Sequence, residues 1–518
     1  MRKLIVALSI CAMLGMIAWK ATQPLRKQRA RREELLLTSD ASNLDRMVKV
    51  WGDDWLGYLI FRSRRFQKEM EQYRLGVRYD LVPDFQQRFH GLETGECDFV
   101  AGTIDSYLAN GAQGGFPGVI TWIIDESHGA DAIIGGPGIT SVDALNRPQI
   151  RGAFVGNSPS EFLLKAQVAN FRLQALLPQI AGFRRDREED AYSALANHRA
   201  DFAVLWEPFV SKALKEIGGT TRLLDSSQTK GIIVDVAIAS RRTLTADATL
   251  ADKTARAYFK TLHYYLDHAE EFRELAAADS DKDAATASTM LNGIKFVPFP
   301  ENCAAWFGLD PQGSGDGLAD VIDRVIRIRR ELREPELDLV NGNPLSLINS
   351  RPLRTIRENP GDLLNGETKI ASLASSPIEA AFFRRLSDDE WSHVAQKTVG
   401  TLVDEPVIFG NGSAGVPEDF QPILRDAIYK LAHYPKYRVI VNGYVSPGSD
   451  PQADQQLSAD RAQAIKRFLV EEGGVAEDRI FARGLGSTEM PSHLPEESDA
   501  AWKRRARRAR IYLAQDSP

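Results

Sequence analysis

The sequence predicts a multidomain α/β protein with a membrane-spanning helix at its N-terminus. Three observations predict it: strand and helix signals that alternate from residue 46 to residue 335, a separate β-α-β unit from about residue 401, and an unbroken apolar run over residues 4–19. A chain of 518 residues is too long for one hydrophobic core, and about three or four domain-sized units are expected.

The composition is that of a globular protein and excludes several functional classes. Hydrophobic residues make up 43% and charged residues 26%, and a net charge of −6 argues against a general nucleic-acid binder. Cys11 lies in the apolar run, while Cys97 and Cys303 are far apart and are interpreted as independent buried thiols rather than a disulfide. The sequence has no CxxC, HExxH or Cys/His cluster, so neither a metal site nor a cofactor is predicted.

The apolar run over residues 4–19 is short for a membrane span. As a helix it would be roughly 24 Å long, which is less than the ~30 Å thickness of the hydrocarbon core of a bilayer. It is either the core of a signal peptide or a short signal anchor, and the lack of a good cleavage site favours an uncleaved anchor at residues 1–22. A basic linker follows at 23–45. Its charge bias alone would keep the following domains in the cytoplasm, whereas the domain resemblances given below favour the periplasm.

Residues 46–335 carry the alternating signals. Strands are predicted at 47–52, 76–82, 95–103, 118–125, 130–135, 150–156, 200–208 and 231–239. Helical segments lie between them, for example at 160–171, and this alternation predicts mainly parallel sheets. Residues 250–335 are predicted to be helical, and 336–400 form a connecting segment without a clean period.

The unit at 401–514 reads as a compact α/β sandwich. Ser458 is predicted to cap its second helix, with Asp460 in the first turn. Arg461 falls at the edge of the apolar face of that helix, where an arginine usually extends its charged end to solvent. The basic stretch 503–510 is interpreted as a solvated strand edge rather than a nucleic-acid contact.

The motifs of this unit resemble those of the OmpA-like peptidoglycan-associating domain. GYVS (443–446), LSADRA (457–462), ARGLG (482–486) and RARRARIYL (505–513) follow in the order of that family. In the family, an aspartate and an arginine clamp the zwitterionic end of a diaminopimelate side chain, because a carboxylate takes the ammonium and a guanidinium takes the carboxylate. The resemblance assigns the arginine to Arg461 and a closing arginine to Arg508, but it places Ser446 where the aspartate is expected.

The missing aspartate leaves the ligand of this unit open. Losing one charged partner would cost ~1.5–3 kcal/mol, or about tenfold to a hundredfold in affinity. Asp450 or Asp454 would compensate if the intervening loop folds back. Three outcomes remain open: weak peptidoglycan binding, binding of another ligand, and a fold kept for assembly or spacing.

The motifs of the larger unit resemble the solute-binding proteins of the nitrate/taurine/aliphatic-sulfonate type. They are WGDDWLGYLIF (51–61), LETGECDFVAGT (92–103), IIDESHGADAIIG (123–135), VGNSPSEFLL (155–164), ADFAVLWEP (200–208) and IIVDVAIASRRTL (232–244). The resemblance implies the type II periplasmic-binding fold, in which two α/β lobes joined by two crossing strands close on a small ligand.

That fold places eight candidate ligand-binding residues near the cleft: Trp55, Tyr58, Thr103, Asp105, Ser158, Ser160, Glu207 and Asp235. Trp55 and Tyr58 are either walls of the cleft or ordinary core aromatics. Ser158 and Ser160 begin a helix whose free N–H groups suit an anion, or they merely cap it. The acids Glu207 and Asp235 are either hinge residues or counter-charges for a cationic part of the ligand, so a purely anionic ligand is disfavoured.

The sequence favours a binding protein over an enzyme, because it has no G-x-S-x-G elbow, P-loop or recognisable nucleophile–base set. The preferred function is a solute receptor for a small anion or zwitterion, anchored once in the inner membrane of a Gram-negative bacterium with its bulk in the periplasm. Its expected partners are the solute, peptidoglycan, the inner membrane and an ABC permease or other envelope protein, without nucleic acid. The alternative is a structural adaptor whose cleft is degenerate.

Overall fold

A computed structural model of the chain describes residues 43–229, 231–310, 317–334, 340–364, 383–403, 405–448 and 450–515. The predicted anchor at 1–22 and nearly all of the predicted linker at 23–45 lie outside these ranges. Within them, no helix has both the length and the apolar character that crossing a bilayer requires.

The first lobe is built around one sheet. Its elements are β1 (Arg46–Gly52), α1 (Leu59–Arg62), α2 (Arg64–Glu71), β2 (Leu75–Leu81), α3 (Phe85–Thr94), β3 (Phe99–Thr103), α4 (Ile104–Asn110) and β4 (Gly118–Ser127). β4 then leads directly into the second lobe, as the crossing-strand arrangement predicts.

The second lobe contains a smaller sheet. Its elements are β5 (Asp131–Gly135), β6 (Gly152–Val155), α5 (Pro159–Asn170), β7 (Arg184–Arg185), α6 (Glu188–Ala196), β8 (Phe202–Trp206), α7 (Phe209–Glu216) and β9 (Thr221–Asp225). The strand order is β7-β6-β8-β5-β9. The predicted strands and the helix predicted at 160–171 therefore lie close to the observed ones.

The chain returns to the first lobe and then becomes helical. The elements are β10 (Val234–Ser240), α8 (Arg241–Ala246), α9 (Thr249–Asp267), α10 (Ala269–Ser280), α11 (Ala284–Asn292), β11 (Ile294–Phe296), α12 (Leu318–Glu331) and α13 (Arg351–Glu358). The described part of the connecting segment packs on the first lobe, where the Asn349 N–H donates to the Ile120 carbonyl at 2.9 Å.

The prediction of mainly parallel sheets is wrong. The first-lobe sheet has the order β11-β4-β10-β3-β1-β2, and β1 is parallel to β2 and β3 while β10 is antiparallel to both β3 and β4. β5 in the second lobe is likewise antiparallel to β8 and β9. A strand that crosses back from the other lobe enters the sheet in the reverse direction, so both crossings produce antiparallel neighbours.

The C-terminal unit is a sheet covered by helices. Its elements are α14 (Asp388–Val394), β12 (Thr398–Thr401), β13 (Val407–Ile408), α15 (Gln421–Leu431), β14 (Tyr437–Gly443), α16 (Pro451–Gly473), β15 (Ile480–Gly484), α17 (Asp499–Ala506) and β16 (Arg508–Gln515). β14 is parallel to β15 and antiparallel to β16. Contrary to prediction, the first part of the basic stretch 503–510 is helical, because α17 ends only at Ala506.

The prediction that Ser458 caps the second helix is also wrong. α16 begins two turns earlier at Pro451, and its cap is Asp450, whose side chain accepts from the Gln452 and Ala453 N–H groups. Ser458 is buried inside the helix and accepts from the Gly486 N–H at 2.9 Å. A Cβ on Gly443 would lie 2.0 Å from the Ser458 carbonyl oxygen, so glycine lets the helix lie directly on β14.

Candidate functional site

Three neighbouring strands of the first lobe bring polar side chains together at the junction between the lobes. In the register of the sheet, Asp235 at the start of β10 lies opposite Thr103 on β3 and opposite Asp125 on β4. Asp105 follows in the first turn of α4. Ligands of open α/β sheets bind beyond the carboxyl ends of strands, and β3 and β4 both end here.

The two paired aspartates differ in their hydrogen bonds. Asp235 accepts a short hydrogen bond from the hydroxyl of Tyr58. Both oxygens of Asp125 lack a partner with hydrogen-bond geometry in the described part of the chain, as does the indole N–H of Trp55. The hydroxyl of Tyr258 is also fully buried without a partner there. Buried polar atoms are normally satisfied, so this group is exceptional.

The second lobe presents three further buried acids. Asp131, at the start of β5, accepts from the Ser127 hydroxyl at 2.5 Å. Glu188, at the start of α6, accepts from the Trp206 N–H at 2.6 Å. Glu207 accepts from the hydroxyl and the N–H of Ser211 and so holds the first turn of α7.

Together these six residues form what we call the acidic cleft: Asp105, Asp125, Asp131, Glu188, Glu207 and Asp235. All six are buried, and none forms an ion pair with an arginine, lysine or histidine in the described ranges. Two arginines near the cleft are paired elsewhere: Arg88 with Asp53 at 2.8 Å, and Arg329, whose charge lowers the pKa of Asp105 against the larger effect of burial, with Glu334 at 2.9 Å.

Burial raises the pKa values of these carboxyl groups, because it disfavours their charged form. The pKa rises to about 7 in Asp105, to about 8 in Asp125 and to about 7 in Asp131, and desolvation is the main cause in each. The pKa values of Glu188 and Asp235 rise well above the usual range for the same reason.

Neighbouring carboxylates raise these pKa values further. Asp125 and Asp131 act on Asp235, and Asp131 and Glu207 act on Glu188. Asp53 and Glu126 add negative charge from outside the cleft. The Tyr58 hydroxyl opposes the rise in Asp235, and contacts with Asp235 and Trp55 oppose it in Asp125.

The predicted anion site at residues 155–164 is organised differently from the prediction. Ser158 donates to the Val155 carbonyl at 2.7 Å and makes no side-chain cap, while Ser160 is fully buried without a partner in the described residues. The Glu161 carboxylate accepts from the Asn157 N–H at 2.8 Å. The chain's own carboxylate therefore takes an N–H group that an anion would need.

The other predicted cleft residues have definite structural roles. The Thr103 hydroxyl accepts from the Ser106 N–H and caps α4. Trp55 is half-buried, whereas Tyr58 is buried in the first-lobe core and also reaches Asp235. The sequence prediction missed Asp125, Asp131 and Glu188, although the first two lie in the quoted motif 123–135. Their positions flanking the crossing between β4 and β5 were the available signal.

The C-terminal unit contains a site of opposite charge. Arg461 on α16 is fully buried, contrary to the prediction that it extends to solvent. Its guanidinium donates to the carbonyls of Tyr444, Ser413 and Gly410 at 2.9, 2.9 and 3.0 Å. Burial and the neighbouring Arg507 lower the pKa of Arg461 to about 10.

Arg508 lies beside the same strand ends. Its guanidinium is 4.5 Å from the ring centroid of Tyr444 and donates to the Glu489 carbonyl at 2.5 Å, while Nε and Nη1 lack partners in the described residues. Nε of Arg507 is likewise without one. We call Arg461, Arg507 and Arg508 the arginine pocket; no carboxylate of residues 405–448 or 450–515 forms an ion pair with any of them.

The residues expected to supply a negative charge are used for other contacts. Asp454 accepts from the Gly448 N–H at 2.8 Å and holds the loop after β14. Asp450 caps α16. Ser446 is half-buried in the same loop and carries no charge. The described residues thus include the arginine of the predicted clamp, whereas the position predicted for its carboxylate carries the uncharged Ser446.

The C-terminal unit also packs directly on the second lobe. Tyr434 is fully buried, donates to Gln167 at 2.8 Å and accepts from Asn170 at 2.7 Å. Arg479 donates to the Tyr434 carbonyl at 2.6 Å and fixes the turn that carries this tyrosine. Tyr437 donates to Gln228 of the second lobe at 2.6 Å.

Comparison with known proteins supplies relatives for both parts. The peptidoglycan-binding protein ArfA of Mycobacterium tuberculosis and its counterpart in Mycobacterium bovis are each 34% identical over 119 residues, which is 23% of this chain and 34% of the relative. The chain therefore spans about a third of the length of the curated relatives it matches.

Among solved structures, this chain is similar to the periplasmic aliphatic sulphonate binding protein SsuA from Escherichia coli. The superposition covers 58% of this chain and 98% of SsuA, with 16% sequence identity and a TM-score of 0.44. The peptidoglycan-associated lipoprotein from Burkholderia pseudomallei covers 22% of this chain and 93% of its own, at 24% identity and a TM-score of 0.20. Residues 408–507 match the sequence model of the OmpA family, which confirms the resemblance of the C-terminal unit to that family.

Proposed function

We propose that the chain is a binding protein of the bacterial cell envelope that captures a small solute between its lobes and holds peptidoglycan through its C-terminal unit. The observation that carries the proposal is the arginine pocket. Arg461 is buried with only main-chain carbonyls as partners, and such a cation favours a carboxylate ligand. Similarity to the OmpA family favours the free carboxylate of a peptidoglycan stem peptide as that ligand.

The two-lobed architecture supports solute capture. The lobes are joined by β4 and the returning strand β10, and both present side chains to the junction. Lobes connected in this way close on ligands by hinge motion. In this proposal the chain does not catalyse a reaction. It faces the periplasm, is held in the inner membrane by residues 1–22, and passes its solute to an ABC permease.

The contact between the C-terminal unit and the second lobe favours a second candidate, a structural adaptor. Tyr434 and Tyr437 bond to second-lobe side chains, so the peptidoglycan module and the lobe are expected to move as one body. An adaptor would use this combined surface to hold another envelope protein near the wall. It predicts no solute and a stable protein complex, which crosslinking in living cells would detect.

Sedimentation of the full chain with diaminopimelate-type peptidoglycan sacculi tests the wall-binding proposal. Ser446→Asp restores the missing charge beside the arginine pocket and is expected to tighten binding about tenfold to a hundredfold. Ser446→Asn is the matched control, since it keeps the size without the charge and should bind like the parent chain. Equal sedimentation of all three proteins, or of none, would contradict this assignment of the ligand.

A further inference from the structure

The acidic cleft contains six buried carboxyl groups and no basic partner within the described ranges. Burying a carboxylate without a counter-charge is costly, and structural acids in cores are normally paired. This chain has such a structural acid for comparison. Asp98, at the far end of β10, pairs with Arg46 and accepts from the Thr243 hydroxyl and the Lys49 N–H.

A second observation points to an absent ligand. The Asp125 side chain is fully buried at the junction of the lobes beside Asp235 and the Trp55 indole, yet neither of its oxygens has a partner in hydrogen-bond geometry among the described residues. The fully buried Tyr258 hydroxyl is close enough to feel the charges of Asp125 and Asp235, and it too is unpartnered there. Native structures seldom leave three such buried atoms without well-formed hydrogen bonds unless something else completes them.

The surroundings favour an organic cation over a bare metal ion. No three acidic, histidine or cysteine side chains in the described residues converge as metal ligands. Two aromatic residues instead adjoin the pair: Tyr58 donates to Asp235, and the Trp55 indole lies near Asp125. Carboxylates bordered by aromatic side chains suit a cation that has both charge and apolar surface.

We propose that the acidic cleft selects an organic cation, a solute with a protonated amine or amidine, and that Asp125 and Asp235 are its counter-charges. This inference rests on the proposed capture of a solute between the lobes and assigns that solute its charge. It differs from the anionic ligand of the sulphonate-type resemblance. Before binding, protons partly neutralise the carboxyl pair, so the entering cation displaces a proton to solvent.

The first test compares matched solutes on the full chain by thermal unfolding and calorimetry. The cationic probes are putrescine, agmatine and choline; the zwitterion is taurine; the anions are ethanesulfonate and nitrate. At least one cation is expected to raise Tm by about 5 °C or more at roughly 100 times its Kd. Its binding heat should differ between phosphate and Tris buffers at pH 7, because a released proton is taken up by the buffer.

The outcomes separate this inference from the proposed function. Stabilisation by ethanesulfonate or nitrate but by no cation would overturn the cationic assignment and leave solute capture standing. No stabilisation by any probe would count against both. Identical binding heats in the two buffers would contradict the displaced proton and thus the role of the carboxyl pair.

A second test compares variants with and without the cation. Asp125→Asn is expected to leave Tm of the ligand-free chain unchanged or raised, because it removes an unpaired buried acid, and to abolish the cation-dependent shift. Asp98→Asn is the matched control and should lower Tm, because it breaks a satisfied ion pair. If Asp125→Asn destabilises the chain as much as Asp98→Asn, Asp125 is a structural acid and the inference is wrong.

Discussion

The acidic cleft and the arginine pocket bury charge of opposite sign. In the cleft, carboxyl groups from both lobes lie together, and burial raises their pKa values because it disfavours the charged form. In the pocket, Arg461 stays within reach of three carbonyl oxygens, and its pKa falls to about 10. A buried acid with a raised pKa can lose its charge by taking up a proton at neutral pH. A buried arginine stays charged and depends on neutral hydrogen-bond acceptors.

The two sites stabilise a buried charge without an ion-pair partner in different ways. Within the pocket, Arg461 is satisfied by fixed main-chain carbonyls, so it contributes to stability even without ligand. The cleft is satisfied only by protonation, so its acids are expected to weaken the fold as pH rises. In our proposals each buried charge is neutralised by a ligand of opposite sign, a carboxylate in the pocket and a cation in the cleft.

The largest effect is expected from Arg461→Ala. The change leaves the carbonyls of Gly410, Ser413 and Tyr444 without their donor, and it should lower the free energy of unfolding of the C-terminal unit by ~3–5 kcal/mol. Denaturant titration gives the loss, and hydrogen exchange of peptides from 405–448 locates it. Arg425→Ala, which removes an exposed pair with Glu472, should have little effect.

A loss confined to peptidoglycan binding would contradict this expectation. Unchanged protection of residues 405–448 in Arg461→Ala would mean that the guanidinium serves the ligand alone. The pocket would then resemble the cleft, and the comparison between a stabilising and a destabilising buried charge would fail.

The next effect is the pH dependence of the two-lobed part. Asp125, with its pKa raised to about 8, binds a proton more tightly when folded than when unfolded, where an aspartate has a pKa of ~3.9. The stability that this proton contributes is complete below pH ~4 and is lost as pH rises through about 8. We expect a fall of about 2–4 kcal/mol between pH 5 and pH 8.

Urea titrations of the full chain at several pH values measure this slope. Asp125→Asn should flatten it, whereas Asp98→Asn should lower stability without removing the slope. Stability that rises between pH 5 and pH 8 in the parent chain would show that the cleft acids are ionised and paired in solution, and would contradict an unpaired acidic cleft.

The sequence predicted the architecture better than the chemistry of the cleft. Strand positions follow from runs such as 47–52 and 231–239, whose apolar pattern depends only on local neighbours. Asp125 and Asp235 are 110 positions apart and become neighbours only through the register of β4 and β10. The pairing itself leaves no local signal, and only its position beside the crossing between β4 and β5 marked Asp125 as a candidate, so one partner was predicted and the other was missed.

In the C-terminal unit the motif gave the residue but not its environment. Arg461 was assigned through its resemblance to the family, while its position along the helix predicted a solvent-exposed end. The structure buries it because Gly443 and Gly484, which have no side chain, let α16 lie directly on the sheet. The periodicity of apolar residues does not reveal this close approach. Tyr434 gave no signal either, because its partners belong to another lobe.

The smallest effect is expected at the contact that links the two sites. Tyr434→Phe removes the hydroxyl that bonds both Gln167 and Asn170, and it should cost ~1–2 kcal/mol of the contact between the C-terminal unit and the second lobe. Scanning calorimetry is expected to show two unfolding transitions moving apart. Tyr264→Phe, on the exposed surface of the first lobe, is the matched control and should leave the trace unchanged. An unaltered trace for Tyr434→Phe would mean that the contact carries no coupling, so solute capture and wall binding would be independent.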